Sequence, residues 1–356
     1  HPTNTKSTNQ EVVTYLSKTI LNSTIAHNTL REGVNSLEPA RFIELGFNKL
    51  LSQIYFVISF IFGLIIFWKI DKNKFKAIFK NSRIERVNFY TFSLLCGVGF
   101  AYINNLGNKF VWVDTIGIVV LVIAWISLWM SAVHTNDVED LKIDEISNKE
   151  RPLVKKDASL EEMGDFGNIW LILGLLGAWC AGFYPFFMAI VYVAASHIYS
   201  KSPLRLRKYP LLPSFLIGTA CLSTVLAGFF FISTNKHIHT FPVLLSIGIV
   251  LMVALAINFK DIKDIEGDRE NEIMTLPVLF PKYGVQIVAL LFALSILLIP
   301  FFLSFYALWL ICVPCSIAGY KIITKKPYRE KGVFTLRFIL LTLIALSYIF
   351  VYLNIR

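Results

Sequence analysis

Long apolar runs recur along this chain, and their lengths constrain its fold more than any other feature. Ten runs approach the roughly 20 residues that an α-helix needs to cross the hydrocarbon core of a bilayer. They lie at about 51–70, 88–106, 113–134, 168–183, 185–200, 210–233, 241–259, 285–303, 304–321 and 333–353. The chain is 55% apolar with a mean hydropathy of +0.61, which is too apolar for an ordinary soluble domain. The sequence therefore predicts an all-α polytopic membrane protein.

The net charge of +10 is concentrated in loops between these runs. Most of the Lys and Arg residues outside the N-terminal segment lie in five loops, at 69–86, 135–167, 200–209, 260–284 and 321–332. With ten spans these loops share one side of the membrane, and the positive-inside rule assigns that side to the cytoplasm. The N-terminal tail then lies outside, unless the first run lies in the interface. Basic loops beside spans explain the charge more simply than nucleic-acid binding does.

An acidic stretch follows directly after the apolar run from Thr115 to Ala132. Asn136, Asp140 and Asp144 are spaced i, i+4 and i+8, so they share one face if the helix continues. Oxygen-bearing side chains at the end of an apolar span are costly unless a cation holds them. This spacing predicts a cation site at the end of a membrane helix.

A second acidic stretch follows the apolar run from Val243 to Ile257. Asp261, Asp264 and Asp268 are spaced i, i+3 and i+7, again one face of a continuous helix. Mg²⁺ takes carboxylate and phosphate oxygens together, so two such faces could hold Mg²⁺ ions around a diphosphate. The alternative is that these acidic residues only cap helices and solvate loops.

Basic side chains near both stretches are expected to complete an anion site. Arg151 follows the first stretch, Lys260 precedes the second, and Lys201, Arg205 and Arg207 lie in the loop between them. Arginine and lysine are the usual partners of phosphate oxygens in proteins. The pattern as a whole favours binding of a diphosphate at the cytoplasmic face.

Several of these segments resemble the UbiA superfamily of intramembrane prenyltransferases. NDVEDLKID at 136–144, with NKERPL at 148–153, is similar to the first aspartate-rich motif, and DIKDIEGDRENEIMTLPV at 261–278 is similar to the second. YSKSPLRLR at 199–207 resembles the stretch between them, and Arg86-Val87-Asn88 resembles the Arg-Pro-x-Asn that opens the first helix. The second motif is closer to the branch that prenylates glycerol phosphates, homogentisate or chlorophyll precursors than to the 4-hydroxybenzoate branch.

The resemblance covers roughly residues 84–356 and implies a nine-helix transmembrane bundle. The run at 51–70 would be one extra N-terminal transmembrane or interfacial helix, after a polar segment at 1–50 and before a prenyltransferase domain at 71–356. The implied reaction is Mg²⁺-dependent transfer of a polyprenyl group from an allylic diphosphate to a lipophilic or aromatic acceptor within the bilayer.

The resemblance also implies roles for individual residues. The implied metal ligands are Asn136, Asp140, Asp144, Asp261, Asp264 and Asp268, of which Asp140, Asp144, Asp264 and Asp268 would be the catalytic set. The implied diphosphate contacts are Arg151, Arg205, Lys260 and Tyr199. His134 and His197 lie next to these motifs and could remove a proton from the acceptor, but a packing role is the favoured interpretation for both.

A cation-coupled transporter is the main alternative, since such proteins also carry acidic residues in membrane helices. That hypothesis expects inverted repeats and acids near the middle of the bilayer, whereas here the acids lie at span ends on one side. The five cysteines, including Cys312 and Cys315, lie mostly in apolar runs and are expected to pack rather than to form disulfides. The chain begins with His1, so we expect its N-terminus to be incomplete.

Overall fold

The computed structural model of the protein describes residues 39–104, 106 and 110–355, and their secondary structure is helical apart from short turns and loops. Its ten long helices, numbered here α1 to α10, are Pro39–Ile70, Ile84–Ile103, Trp112–Glu139, Leu160–Ala181, Phe183–Ser200, Leu212–Ile232, Val243–Ala256, Gly284–Leu297, Trp309–Thr324 and Glu330–Ile355. Shorter α-helices lie at Lys72–Lys80, Leu141–Ser147, Pro152–Lys155, Ile265–Glu270, Leu276–Leu279 and Ile299–Phe302. Short 3₁₀ segments lie at Leu206–Lys208, Ile238–Thr240, Ile257–Lys263 and Tyr306–Leu308.

Each of the ten predicted spans corresponds to one of these long helices. Nine helical segments within the described ranges have both the length and the hydropathy of a membrane span. The remaining long helix, α2, has 20 residues, which gives about 30 Å and is enough to cross the hydrocarbon core. The prediction of a nine-helix bundle plus one N-terminal helix is therefore confirmed.

Two helix boundaries are set by local features of the chain, namely the division between α4 and α5 and the start of α1. The division between α4 and α5 falls at Gly182, whose φ of 149° is a backbone conformation that residues with a side chain rarely adopt. The N-terminal helix α1 begins at Pro39, earlier than the predicted start at 51, because its polar first turns continue the same helix. Most of the predicted polar segment at 1–50 lies outside the described residues.

The described helices pack around three hydrophobic cores. The largest is formed by α1 to α6 and the start of α7, with Leu94, Trp125 and Phe229 fully buried. A second is formed by the end of α7 together with α8, α9 and α10, and it contains Phe259 and Phe292. A smaller third core lies beside α3 and α4, around Met130 and Trp170. Helix α6 is the most buried of the candidate spans, and it packs against α2, α5 and α7.

Helices α2 and α6 cross at backbone contact. A Cβ atom added at Gly97 would collide with the carbonyl oxygen of Val225, and one added at Gly228 would collide with that of Leu94. Small residues at a helix crossing let two backbones approach closely, and this is a common way to pack helices in membranes. The crossing fixes one wall of the cavity that is described below.

Candidate functional site

The first acidic stretch lies at a break in a helix. Helix α3 ends at Glu139, Asp140 has φ −102° and ψ 12°, and a short helix begins at Leu141. The prediction of one continuous helical face through Asn136, Asp140 and Asp144 is therefore wrong. Asn136 still donates a hydrogen bond of 2.7 Å from Nδ2 to Asp140 Oδ2, so these two side chains stay together.

The second acidic stretch has the same local form. A 3₁₀ turn follows α7 and ends at Lys263, Asp264 has φ −102° and ψ 8°, and a short helix begins at Ile265. The predicted continuous face through Asp261, Asp264 and Asp268 is also wrong. In both breaks the aspartate adopts the sparsely populated bridge region, where active-site residues are often found. Side-chain bonds to other elements hold it there against the local helical preference.

The two acidic stretches meet in space. The side-chain amide of Asn148 donates from Nδ2 to Asp144 Oδ1 and to Asp264 Oδ1, at 3.0 Å each. The two short helices pack on each other at Gly267, where an added Cβ would lie 2.5 Å from Ser147 Oγ and 3.1 Å from the carbonyl oxygen of Ile143. The structure thus brings the two carboxylate groups together, as the sequence pattern predicted.

Arginines from the loop between α5 and α6 enter this acidic cluster. Arg205 donates from Nη2 to Asp140 Oδ1 at 2.8 Å and to the carbonyl oxygen of Glu139 at 2.9 Å. Arg207 pairs with Asp140 and also with Asp268, the latter at 3.3 Å between Nη2 and Oδ1. Arg207 therefore joins one carboxylate of each stretch.

Arg151 enters the cluster from the other side. Its Nη1 lies 2.5 Å from Asp144 Oδ2 and 2.5 Å from Asp137 Oδ1. Asp137 is almost fully buried and also accepts hydrogen bonds of 2.6 Å from Arg83 and from Asn81. Sequence reasoning missed Asp137, Asn148 and the bridging position of Arg207. The one available indication was that Asp137 and Asn148 lie inside the first motif.

Lys260 and Asp261 form a local ion pair in the 3₁₀ segment that follows α7. The Lys260 Nζ atom also lies 5.6 Å from the centre of the Tyr199 ring. Tyr199 and Lys260 both line the cavity next to the acidic cluster, on the side that faces the bundle interior.

Burial raises the pKa of two carboxyl groups of the cluster, both outside the spans. It raises the pKa of the Asp144 carboxyl to about 7, although Arg151 beside it acts in the opposite direction. It raises the pKa of Asp268 to about 6, against the effect of Arg207. The neighbouring arginines therefore offset only part of the free-energy cost of removing these charged carboxylates from water.

The donor set of the cluster fits Mg²⁺. Its carboxylate and amide oxygens are the hard ligands that this ion prefers, and the buried Oδ2 atom of Asp268 has no hydrogen-bond partner. In the described part of the chain no three His, Cys, Asp or Glu side chains are grouped as ligands of a single ion. Arg207 and Asn148 stand between the carboxylates of the two stretches. An ion here would need to share its coordination with oxygens of a substrate.

A cavity of about 100 Å³ extends from this cluster into the bundle, between α2, α3, α5, α6, the 3₁₀ segment that follows α7, and α10. Asn136, Ser200, Tyr199 and Lys260 line its polar end, and Ser200 donates a hydrogen bond of 3.2 Å to Asn136. Further aromatic side chains line its interior, namely Phe89, Tyr90, Trp129, Tyr192 and Phe334.

Neither histidine near the motifs lines this cavity. His134 is fully buried, its Nδ1 lies 2.5 Å from the carbonyl oxygen of Met130, and Nε2 has no partner. His197 bonds through Nδ1 to the carbonyl oxygen of Val193 at 3.0 Å. Both contacts support the packing interpretation over a role as proton acceptor.

Comparison with known proteins gives consistent results. The model of the UbiA prenyltransferase family matches residues 93–342. Digeranylgeranylglyceryl phosphate synthase of Methanocaldococcus jannaschii is 26% identical over 223 residues, which cover 60% of this chain and 76% of that protein. Homogentisate phytyltransferase of Synechocystis is 30% identical over 171 residues, which cover 46% of this chain and 55% of that protein. These relatives belong to the branch that the second motif indicated.

Solved structures show the same fold. A UbiA homologue from Archaeoglobus fulgidus, bound to geranyl diphosphate and Mg²⁺, superposes with a TM-score of 0.58 at 17% identity. The superposition covers 77% of this chain and 99% of that one.

Proposed function

The chain belongs to the UbiA prenyltransferase family, and we propose that it transfers a polyprenyl group from an allylic diphosphate to a lipophilic or aromatic acceptor at the cavity described above. The observation that carries this proposal is the meeting of two buried carboxylate groups and three arginines at one end of an aromatic-lined cavity. A diphosphate at that end would place its prenyl chain among the aromatic side chains.

The proposed residues for Mg²⁺ are Asn136, Asp140, Asp144, Asp264 and Asp268, with Asp261 beside them. When bound, Mg²⁺ neutralises the negative charge that develops on a departing diphosphate. The A. fulgidus relative that was solved with geranyl diphosphate and Mg²⁺ supports this assignment. So does the buried Asp268 Oδ2, which has no hydrogen-bond partner among the described residues.

Arginines Arg151, Arg205 and Arg207 are proposed to bind the diphosphate oxygens. In the structure each pairs with a carboxylate, so binding of a diphosphate with its ions would exchange those partners. Arginine presents a planar fork of donors that suits phosphate oxygens. Lys260 and Tyr199 lie at the cavity end of the same site and are proposed to contact the donor there.

The aromatic lining is proposed to stabilise positive charge on the prenyl group. The ring of Tyr90 is tilted against that of Trp129 and edge-to-face with that of Tyr192, with ring centres 5.4 Å apart in each case. The face of an aromatic ring attracts a cation within about 6 Å of its centre. Because none of the described histidines lines the cavity, departure of the diphosphate rather than deprotonation of the acceptor is expected to initiate the reaction.

The cation-coupled transporter is not supported as an alternative. The chain matches a family of prenyltransferases over most of its length. Its acidic cluster lies at the ends of α3 and α7 and not halfway along them.

The proposal is tested with the purified chain in lipid nanodiscs, radiolabelled geranylgeranyl diphosphate and a panel of phenolic and glycerol-phosphate acceptors. We expect a prenylated product that requires Mg²⁺ and is lost with excess chelator. Asp264→Ala should lower turnover at least about 100-fold, because it removes a ligand of the proposed ion. Asp157→Ala, on an exposed loop of the same face, should turn over normally. Full turnover in chelator or in Asp264→Ala would contradict the assignment.

The acidic cluster is further proposed to face the cytoplasm. The basic loops at 69–86, 200–209 and 321–332 lie on its side of the bundle. Direct contacts support this placement, since Arg83 bonds to Asp137, Arg205 to Asp140, and Lys263 to Glu330. Membrane proteins keep such loops on the cytoplasmic side.

A further inference from the structure

One arginine of the cavity lies away from the acidic cluster. Arg337 lines the cavity from helix α10, seven residues after Glu330, which places its Cα about 10 Å further along the helix. Its guanidinium carbon lies 4.7 Å from the centre of the Phe89 ring. The arginines of the cluster sit instead near the helix ends, beside the carboxylates.

Arg337 has no charged partner in the part of the chain that the structure describes. Its Nη1 atom is buried without a hydrogen bond, and within the described residues its side chain forms no ion pair. By contrast, Arg86 on the same cavity wall pairs with Glu330 at 2.8 Å. Arg83, Arg151, Arg205 and Arg207 also pair with carboxylates.

An unpaired cation inside a membrane protein is costly, and such residues usually mark a substrate path. Stacking on Phe89 offsets only part of that cost, because the guanidinium keeps its unused hydrogen-bond donors. The neighbouring cavity walls are apolar or aromatic, formed by Tyr90, Ala220 and Phe334 among others. The missing anion therefore has to come from a ligand.

The diphosphate of the donor is not that anion. The proposed site for the diphosphate is the acidic cluster, where the carboxylates that bind its ions are found. Arg337 lines the cavity beside the aromatic side chain of Phe89, where we expect the prenyl chain and the acceptor to meet. A second anionic group at this place would belong to the acceptor.

We infer that Arg337 binds a phosphate or carboxylate of the acceptor, and that it selects acceptors which carry such an oxyanion. This inference rests on the proposed function, because it assumes that donor and acceptor share the cavity. It adds a separate anion site to the one at the acidic cluster. The acidic cluster would hold the donor and Arg337 would hold the acceptor, so that the two substrates meet among the aromatic side chains.

The test uses matched acceptors that differ only in charge. Homogentisate is compared with its methyl ester, and an alkylglycerol phosphate with the corresponding alkylglycerol, using the full chain in nanodiscs. In the wild type we expect a lower KM for the charged member of at least one pair. Arg337→Gln should raise that KM about tenfold or more and leave the KM of geranylgeranyl diphosphate unchanged. The pair that responds identifies the oxyanion as carboxylate or phosphate.

Two further variants complete the comparison. Arg337→Lys keeps the positive charge and should restore part of the preference for the charged acceptor. Arg329→Gln removes an exposed arginine just before α10 and should behave as the wild type. If Arg337→Gln does not fold, Arg337→Lys still tests the inference, since it should change the KM of the charged acceptor and the KM of the neutral one by different factors.

The outcomes separate the inference from the proposed function. A wild type that prefers the neutral members, or an Arg337→Gln variant with unchanged KM for the charged ones, would overturn the inference alone. An equal rise in the KM of donor and acceptor would assign Arg337 to the diphosphate site instead. If the wild type transfers no prenyl group at all, the proposed function fails. Thermal stabilisation by each charged acceptor over its neutral partner, in wild type and Arg337→Gln, then still decides whether Arg337 binds an oxyanion.

Discussion

At the scale of single residues, Arg207 connects the two acidic stretches. It is 9% exposed and pairs with Asp140 from the first stretch and with Asp268 from the second. Breaking a buried ion pair by removing one partner leaves an uncompensated charge in the protein interior. Arg207 therefore contributes to the stability of the cluster, and it also supplies a positive charge that would bind an anion there.

We expect Arg207→Ala to abolish prenyl transfer and to lower the free energy of unfolding by about 3–5 kcal/mol, since Asp140 and Asp268 lose their shared partner. Mg²⁺ should restore part of that stability, because it supplies a positive charge at the same carboxylates. Thermal unfolding in detergent with and without Mg²⁺ measures both effects. Lys208→Ala is the matched control, since Lys208 is the exposed neighbour of Arg207. Equal stability of the two variants would show that Arg207 has no such role.

Which site residues could be predicted from the sequence depends on how far apart the partners lie. The carboxylates of each stretch are local to a motif, and their spacing at the end of an apolar run was enough to find them. Arg207 and Asp268 are 61 residues apart, and Asn148 and Asp264 are 116 apart. Pairs at such separations depend on how whole helices pack, and the sequence pattern holds no direct information on that.

At the scale of secondary-structure elements, both motif helices break at the corresponding aspartate. The short helices after Asp140 and Asp264 turn toward each other and touch at Gly267. The lengths of the apolar runs predicted the spans well, because bilayer thickness sets them. The breaks could not be predicted, because the helical spacing of polar residues continues unchanged across them.

Gly267 is expected to tolerate no side chain. A branched side chain there would collide with Ile143 and with its carbonyl oxygen, 3.0 Å and 3.1 Å from the position of an added Cβ. We expect Gly267→Val to separate the two short helices and to lower kcat/KM at least about tenfold, with weaker donor binding. Gly164→Val is the control, since an added Cβ at Gly164 meets nothing within 4 Å. Steady-state kinetics of both variants test this, and normal donor binding by Gly267→Val would contradict it.

At the scale of the whole molecule, charge is distributed unevenly between the two ends of the bundle. The basic loops and the acidic cluster lie at one end, and the short turn at Ile238–Thr240 lies at the other. The sequence predicted this arrangement because each span reverses the direction of the chain. The location of the basic end in the cytoplasm remains a prediction.

Single-cysteine labelling tests that sidedness. In a variant without the five native cysteines, Asp157→Cys lies on an exposed loop at the acidic end, and His239→Cys lies in the exposed turn at the opposite end. We expect an impermeant maleimide added to intact cells to label the cysteine at 239 but not the one at 157. Labelling at 157 alone would reverse the proposed orientation.

The separation of the hydrophobic interior into distinct cores has a consequence for cooperativity. The largest core contains much of α3, which leads to the first acidic stretch, and the second contains the 3₁₀ segment that leads to the second stretch. A donor bound by both stretches would couple the unfolding of these two cores. We therefore expect heat to unfold the free protein in a broad or two-step transition, and the protein with Mg²⁺ and donor in a single sharp one. Substrate binding would then determine how many folding units the protein contains.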